Sequence, residues 1–216
     1  SSDKVVIRLS AQEVESVKII DLDPGMTNFG AQNAIFKELN RGAYQNSKVT
    51  VQNGDAFIAL EDDSSYYDLI IIDFPDPRSI ELSRLYTKEM YRFCKKRLKQ
   101  DGVIITQATS PYYQAKSFYC INKTMEAAGL NTLQIHNHVQ SFGEWGWIVG
   151  SQLYDKNQMI EKLSSIKELP VKNTKWLNTE ALQMMCKFGK TVGDTSGIEV
   201  NSIHNPVLFK YYIKGT

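Results

Sequence analysis

The segment Tyr67-Asp68-Leu69-Ile70-Ile71-Ile72-Asp73 constrains the fold more than any other. Its apolar residues run together instead of alternating with polar ones, so neither face of such a strand is built for water. A strand buried on both faces belongs to a sheet covered by helices on both sides, the setting of parallel α/β sheets. An acid closes the run. In open α/β sheets, ligands bind in the crevice beyond the carboxyl ends of the strands.

The rest of the chain repeats the theme. Val17-Lys18-Ile19-Ile20-Asp21 is a shorter run that also ends in an acid, and Lys48 to Gln52 alternates as a strand does. Between them a helical pattern spans Met26 to Leu39, with Phe29, Ile35, Phe36 and Leu39 as its apolar positions; Ala56 to Leu60 reads as a short helix. A helix is expected from about Leu82 to Leu98, its basic end Lys95, Lys96, Arg97 and Lys99 suited to the C-terminal dipole. Asp101-Gly102 then turns the chain into the strand Val103 to Gln107. A further helix, Ala115 to Ala128, stops at Gly129, a residue favoured just past a helix end. Two last strands, Thr132 to Val139 and Trp145 to Gln152, are joined too closely for anything but an antiparallel hairpin. The expected fold is α/β: a doubly wound, mostly parallel sheet with one antiparallel strand at its edge.

The start breaks the pattern. Val5 to Leu9 has strand composition, but only seven residues, Ser10 to Ser16, separate it from the strand at Val17. A parallel crossover needs about a dozen residues or more. Asp3 to Ala11 is therefore expected to be a helix, and the fold to be truncated at its N-terminus. Residues 1–152 make the expected α/β domain. Residues 153–216 form a C-terminal extension packed on it, with helix-like stretches at Met159 to Leu169 and Thr179 to Phe188, a Gly-rich turn at Gly189 to Gly197, and an aromatic end.

Composition removes several functions. Twenty-five Lys+Arg against twenty-four Asp+Glu give a net charge of +1, too little excess basic charge for a general nucleic-acid or anionic-membrane binder. No run approaches the roughly 18 apolar residues of a membrane helix, and no signal peptide is expected at Ser1-Ser2-Asp3-Lys4. Three scattered cysteines, Cys94, Cys120 and Cys186, suit a reduced, cytosol-like compartment. His136, His138 and His204 are too few and too scattered for a metal site, and no P-loop, GxGxxG or Ser-His-Asp order is present.

What remains lies at the strand ends. Asp21 or Asp23 can accept from both hydroxyls of a ribose, or serve as a loop acid or helix cap. Asp55 can accept from an adenine amino group or cap the helix that begins at Ala56. The segment Asp73-Phe74-Pro75-Asp76-Pro77 places two carboxylates three residues apart in a loop stiffened by two prolines. Such acids can hold a cationic amine, and one can take its proton to free a nucleophilic nitrogen. The alternative is a turn in which Asp76-Pro77 merely starts the next helix. Gln107 closes the next strand. Glu144, between Phe142 and Trp145 in a glycine-punctuated turn, suits an alkylammonium through charge and cation–π contact, or is a surface acid in an aromatic hairpin.

Together the segments VESVKIIDLDPGMT, KVTVQNGDAF, YDLIIIDFPDP, LYTKEMY, GVIITQATSPYY and SFGEWGWIVGS resemble the spermidine synthase (polyamine aminopropyltransferase) family. The tail, WLNTEALQMMCKFGK and EVNSIHNPVLFKYY, resembles the extension of its bacterial branch with a membrane-embedded N-terminal region. The resemblance implies a Rossmann-like, methyltransferase-type sheet, no prosthetic group and no metal, and decarboxylated S-adenosylmethionine as cosubstrate. It implies aminopropyl transfer to a polyamine such as putrescine, a homodimer, and a cytoplasmic domain tethered to the membrane only through that N-terminal region. Carried over by motif, Asp21 and Asp23 lie at the ribose and Asp55 with Ala56 at the adenine. Asp73 binds an amine and Asp76 is the base. Gln107, Phe142, Glu144 and Trp145 hold the polyamine. The family's Gly-rich loop and N-terminal β-hairpin domain have no counterpart in these residues, so activity is expected of the whole protein rather than of this segment alone. An S-adenosylmethionine-dependent methyltransferase shares the fold and the Asp21 and Asp55 logic. It has no need of Asp76 or of an acidic aromatic pocket, and needs a positive partner for the methionine carboxylate that these strand ends lack. A non-catalytic nucleoside- or polyamine-binding domain is the third reading; the presence of both Asp73 and Asp76 speaks against it.

Overall fold

The computed structural model describes residues 14–169, 174, 176–189 and 195–215. The helix expected over Asp3 to Ala11 and part of the Gly-rich turn lie outside the described residues. The chain divides into two compact units, residues 1–63 and 64–216.

In the first unit, β1 (Val17–Asp21) and β2 (Val49–Asn53) pair in parallel, Asp21 opposite Asn53. The long helix expected between them is two: α1 (Pro24–Gln32) and α2 (Ala34–Leu39). Asn33 makes the break. Its backbone N–H closes α1 on Phe29, while its side chain accepts from the Ile35 and Phe36 amides and starts α2. Side-chain capping of this kind satisfies the orphan amides of a helix start, which is why Asn serves better here than in a helix interior. The short helix α3 (Ala56–Asp62) follows β2.

The second unit carries a four-stranded sheet in the order β3-β4-β6-β5, formed by β3 (Tyr67–Ile72), β4 (Leu98–Gln107), β5 (Asn131–Val139) and β6 (Gly143–Ser151). Strands β3 and β4 are parallel, and β6 runs antiparallel to both β4 and β5. The antiparallel strand is therefore one place in from the edge, which β5 occupies. A hairpin pattern shows that two strands are antiparallel but not which takes the inner seat. Here β6 takes it, and its Gly146 and Gly150 let Phe118 and Met125 approach its backbone closely. Strand β4 also begins earlier than expected. Asp101-Gly102 is no turn between elements but part of an irregularity in the β3–β4 register, where Tyr67 pairs with Leu98 and Leu69 with Val103.

Helices α4 (Ile80–Ser83) and α5 (Lys88–Lys96) replace the single helix expected there, separated by a 3-10 turn at Arg84–Tyr86. Helix α6 (Ala115–Ala127) ends at Gly129, whose φ of 87° is left-handed backbone that glycine adopts without strain. Alternation along β5 places a helix on each face of the sheet. Gln134 donates to Asn122 of α6, whereas Leu133 and Ile135 cluster with Met159 of α7 (Lys156–Ser164). Helix α8 (Thr179–Met184) packs against α7. The last helix, α9 (Leu208–Lys214), packs on α6 and α4.

Candidate active site

The carboxyl ends of β1 and β2 hold the first group of expected residues. Gly54 N–H donates to the Asp21 carbonyl at 2.9 Å, and Asn53 Nδ2 to the same oxygen at 3.2 Å, so the two strand ends are tied together. The Asp21 carboxylate accepts from the Asp23 amide at 2.8 Å. Asp23 caps α1, accepting from Gly25 N–H at 2.7 Å, and Asp55 caps α3, accepting from Phe57 N–H at 2.8 Å. Each cap uses one oxygen and leaves carboxylate acceptor capacity at the strand ends. Ala56 opens α3. Tyr44 joins this group: burial, then the nearby Asp21 carboxylate, pushes its phenol up.

The second unit gathers the remaining residues beyond β3, β4 and the β5–β6 turn. Asp73 follows β3 directly and is exposed; Asp76 is largely covered, its side chain 13% accessible. Tyr212 Oη of α9 donates to Asp76 Oδ2 at 2.9 Å, Gln107 Nε2 reaches Asp76 Oδ1 at 3.5 Å, and the exposed Arg78 guanidinium lies 3.7 Å from Oδ2. Gln107 is itself buried and bound on all sides. Its Nε2 donates to the Phe74 carbonyl at 2.8 Å and to Tyr86 Oη, and its Oε1 accepts from Thr109 N–H at 3.0 Å. Tyr86, fully buried, donates to the carbonyls of Phe74 at 2.8 Å and Pro75 at 3.2 Å. The Asp73–Asp76 loop is thus held from beneath by Gln107 and Tyr86, while its two prolines limit what its backbone can do. Burial pushes the Tyr86 phenol far up, with Tyr91 and the two loop carboxylates adding to the effect; it stays a neutral donor. Thr109 sits at the end of β4 with a left-handed φ of 64°, and its buried hydroxyl has no hydrogen-bond partner. For a β-branched residue this is strained backbone, and strain of that kind collects at functional sites.

Glu144 does not stand alone. His136 Nδ1 lies 2.9 Å from Glu144 Oε2, and His138 Nδ1 lies 3.5 Å from Oε1. The other His136 nitrogen is 2.8 Å from the Lys187 carbonyl. Both ring nitrogens thus face acceptors. Phe142 and Trp145 touch at 5.4 Å between ring centroids. Among the described residues, no three His, Cys, Asp or Glu side chains cluster to hold a metal ion, and no helix is long and apolar enough to cross a membrane.

The family model described as the spermine/spermidine synthase domain matches residues 4–162. This chain belongs to the spermine/spermidine synthase family. It is 36% identical over 94% of its length to a polyamine aminopropyltransferase of Leptospira interrogans and 35% identical over 95% to one of Oceanobacillus iheyensis. It spans 39% of the length of each of these curated relatives. Its fold matches the spermidine synthase of Thermotoga maritima at a TM-score of 0.66, with 20% identity, covering 82% of this chain and 59% of that one. A spermidine synthase in complex with the transition-state analogue AdoDATO matches at 0.63, again at 20% identity, over 81% of this chain and 57% of that one. The mostly parallel α/β fold expected from the strand pattern, and the Rossmann-like form of it that the family resemblance implies, agree with these neighbours.

Sequence reading missed Tyr44, Tyr86, Thr109 and Tyr212 in this family member. Tyr86 was visible only as an aromatic residue in a helical stretch and Tyr212 only as one in the aromatic end, where packing is the ordinary explanation of an aromatic. Thr109 carries no local signal at all, since a positive φ at threonine is imposed by its surroundings.

Proposed function

We propose that the protein transfers an aminopropyl group from decarboxylated S-adenosylmethionine to a primary amine of a polyamine such as putrescine, releasing methylthioadenosine. The observation that carries this reading, within the family shown, is the Asp76 carboxylate held in a prepared position beside Asp73 beyond β3.

Chemistry requires little else. The acceptor arrives as an ammonium, which has no lone pair to attack with. Asp76 takes one proton, and the freed nitrogen attacks the aminopropyl carbon bound to the sulfonium. As the N–C bond forms the C–S bond breaks, its electron pair passing to sulfur and leaving a neutral thioether. The cationic sulfur is already a good leaving group, so no general acid is needed on that side. A carboxylate base and in-line positioning are the contributions asked of the protein.

Asp73 binds the amine. Phe142, Glu144 and Trp145 form a wall for the alkyl chain and its distal charge, where cation–π contact adds to charge pairing. Gln107 positions the polyamine through the Asp76 loop that it supports. On the nucleoside side, Asp21 and Asp23 take the ribose hydroxyls and Asp55 with Ala56 the adenine. We place the transferase body in residues 1–152 and the packed extension in residues 153–216, and assign the protein to the cytoplasmic side as a homodimer, with any membrane attachment through a region N-terminal to this one.

The test is Asp76→Asn, assayed by mass spectrometry of methylthioadenosine and of the amine product. Turnover should fall by about a thousandfold, the usual scale for a lost general base, while methylthioadenosine still binds. Turnover at the wild-type rate refutes the base assignment.

A further inference from the structure

We propose that Tyr212 is a positioning residue for Asp76, so that the C-terminal helix α9 is a working part of the amine side; the proposal rests on the reading of Asp76 as the base. A carboxylate turns about a broad, weakly restrained terminal torsion, so its orientation must be set by partners. Among the described contacts to the Asp76 carboxylate, Tyr212 makes the one of ordinary hydrogen-bond length, 2.9 Å to Oδ2, against 3.5 Å for Gln107 and 3.7 Å for Arg78. By occupying Oδ2, Tyr212 leaves Oδ1 to accept the proton of an incoming ammonium.

Helix α9 is built to hold that hydroxyl in place. Leu208 and Tyr212 are four residues apart and share one face, and Leu208 is fully buried. Leu208 N–H donates to Asn201 Oδ1 at 3.2 Å, and Asn201 Nδ2 donates to the carbonyls of Ser83 at 2.8 Å and Tyr86 at 3.1 Å. Tyr86 in turn bonds the carbonyls of Phe74 and Pro75, next to Asp76. Polar contacts therefore run from the helix that carries Tyr212 back to the loop that carries Asp76, and the Tyr212–Asp76 bond closes the ring. Burial, then the bond to Asp76 and the Asp76 charge, pushes the Tyr212 phenol up, so Tyr212 remains a donor and does not compete with Asp76 for the proton.

Three measurements on the whole protein test this. In protein labelled at tyrosine Cζ, NMR titration of Tyr212 should move to lower pH in Asp76→Asn, because the acceptor and charge that raise it are reduced. In the transfer assay, Tyr212→Phe should lower kcat about tenfold with KM for decarboxylated S-adenosylmethionine unchanged, the scale of a lost hydrogen bond to a charged group. In single-turnover assays it should cost nothing further in the Asp76→Asn background. A Tyr212 titration indifferent to Asp76→Asn, an unchanged kcat in Tyr212→Phe, or losses that multiply in the double variant each overturn the proposal. A whole wild-type protein that transfers nothing, while Asp76→Asn still moves Tyr212, refutes the transferase reading and sustains the pairing.

Discussion

Asn201 is fully buried and holds four polar groups with one side chain. Its Nδ2 donates to the Ser83 and Tyr86 carbonyls, and its Oδ1 accepts from Leu208 N–H at 3.2 Å and from Ser83 Oγ at 3.3 Å. Asn201→Ala removes all four contacts and admits no obvious replacement at a site with no accessible surface. A buried donor or acceptor left without a partner costs about 1–3 kcal/mol. Ser83 Oγ can rotate toward another acceptor, so the load falls on two carbonyls and one amide, or about 4 kcal/mol in all. For a unit of this size, thermal midpoints fall by about 2–4 °C per kcal/mol, which predicts a drop of about 8–16 °C. Asn201→Asp should be worse at neutral pH. It keeps the acceptor for Leu208 but turns a carboxylate oxygen, not an amide, toward two carbonyls, and an unpaired buried charge costs more than a missing bond. Urea and thermal unfolding followed by circular dichroism measure both. A loss below about 1 kcal/mol for Asn201→Ala, or wild-type stability in Asn201→Asp, refutes the accounting, because water or a shifted backbone would then satisfy those groups.

The glycines of β6 and the buried thiols give two further predictions. A Cβ at Gly146 stands 2.5 Å from the ring carbon Cε2 of Phe118, so Gly146→Ala should cost about 1–3 kcal/mol in urea unfolding, whereas at Gly150 the 2.7 Å contact is with the movable end of Met125 and Gly150→Ala should cost less. Burial pushes the Cys94 and Cys120 thiols up to about 12, from an ordinary 9.0. A folded value raised above the unfolded one gives stability that is complete below about pH 9 and is lost as pH climbs toward 12. Urea midpoints should therefore fall between about pH 8 and pH 10.5, and a Cys94→Ala, Cys120→Ala double variant should show a shallower decline; an identical slope refutes it.

How much of this was legible depends on the range of the interactions. Each strand end was readable because a run such as Tyr67 to Ile72 is a local pattern, and the acid that follows it is placed by the strand's direction alone. Asp21, Asp55, Asp73 and Gln107 all stand at or just beyond strand ends for that reason. The break at Asn33 was concealed by helical spacing of Phe29, Ile35, Phe36 and Leu39 across it, since periodicity does not register which residue caps. The early start of β4 was concealed for the opposite reason. Asp101-Gly102 has turn composition, yet the pair sits inside a register irregularity where a Cβ at Gly102 would meet the Asp68 carbonyl at 3.0 Å.

The contacts that orient the carboxylates were beyond any local reading. Tyr212 meets Asp76 across 136 positions, Asn201 meets Ser83 across 118, and His136 meets Lys187 across 51. A buried asparagine in irregular chain has no periodicity, and a tyrosine in an aromatic tail looks like packing until its hydroxyl is placed. These residues nevertheless explain a feature that local patterns leave open, namely what the long tail after the last strand contributes. The acids come from strand ends, where backbone direction sets them, but a carboxylate's orientation is not fixed by its backbone. That orientation comes from partners supplied late in the chain: Tyr212 for Asp76, and the Lys187 carbonyl, through His136, for Glu144. Loss of the Tyr212 hydroxyl alone should therefore act on the orientation of Asp76 and leave the sheet intact, because the sheet's own ladders end at Ser151.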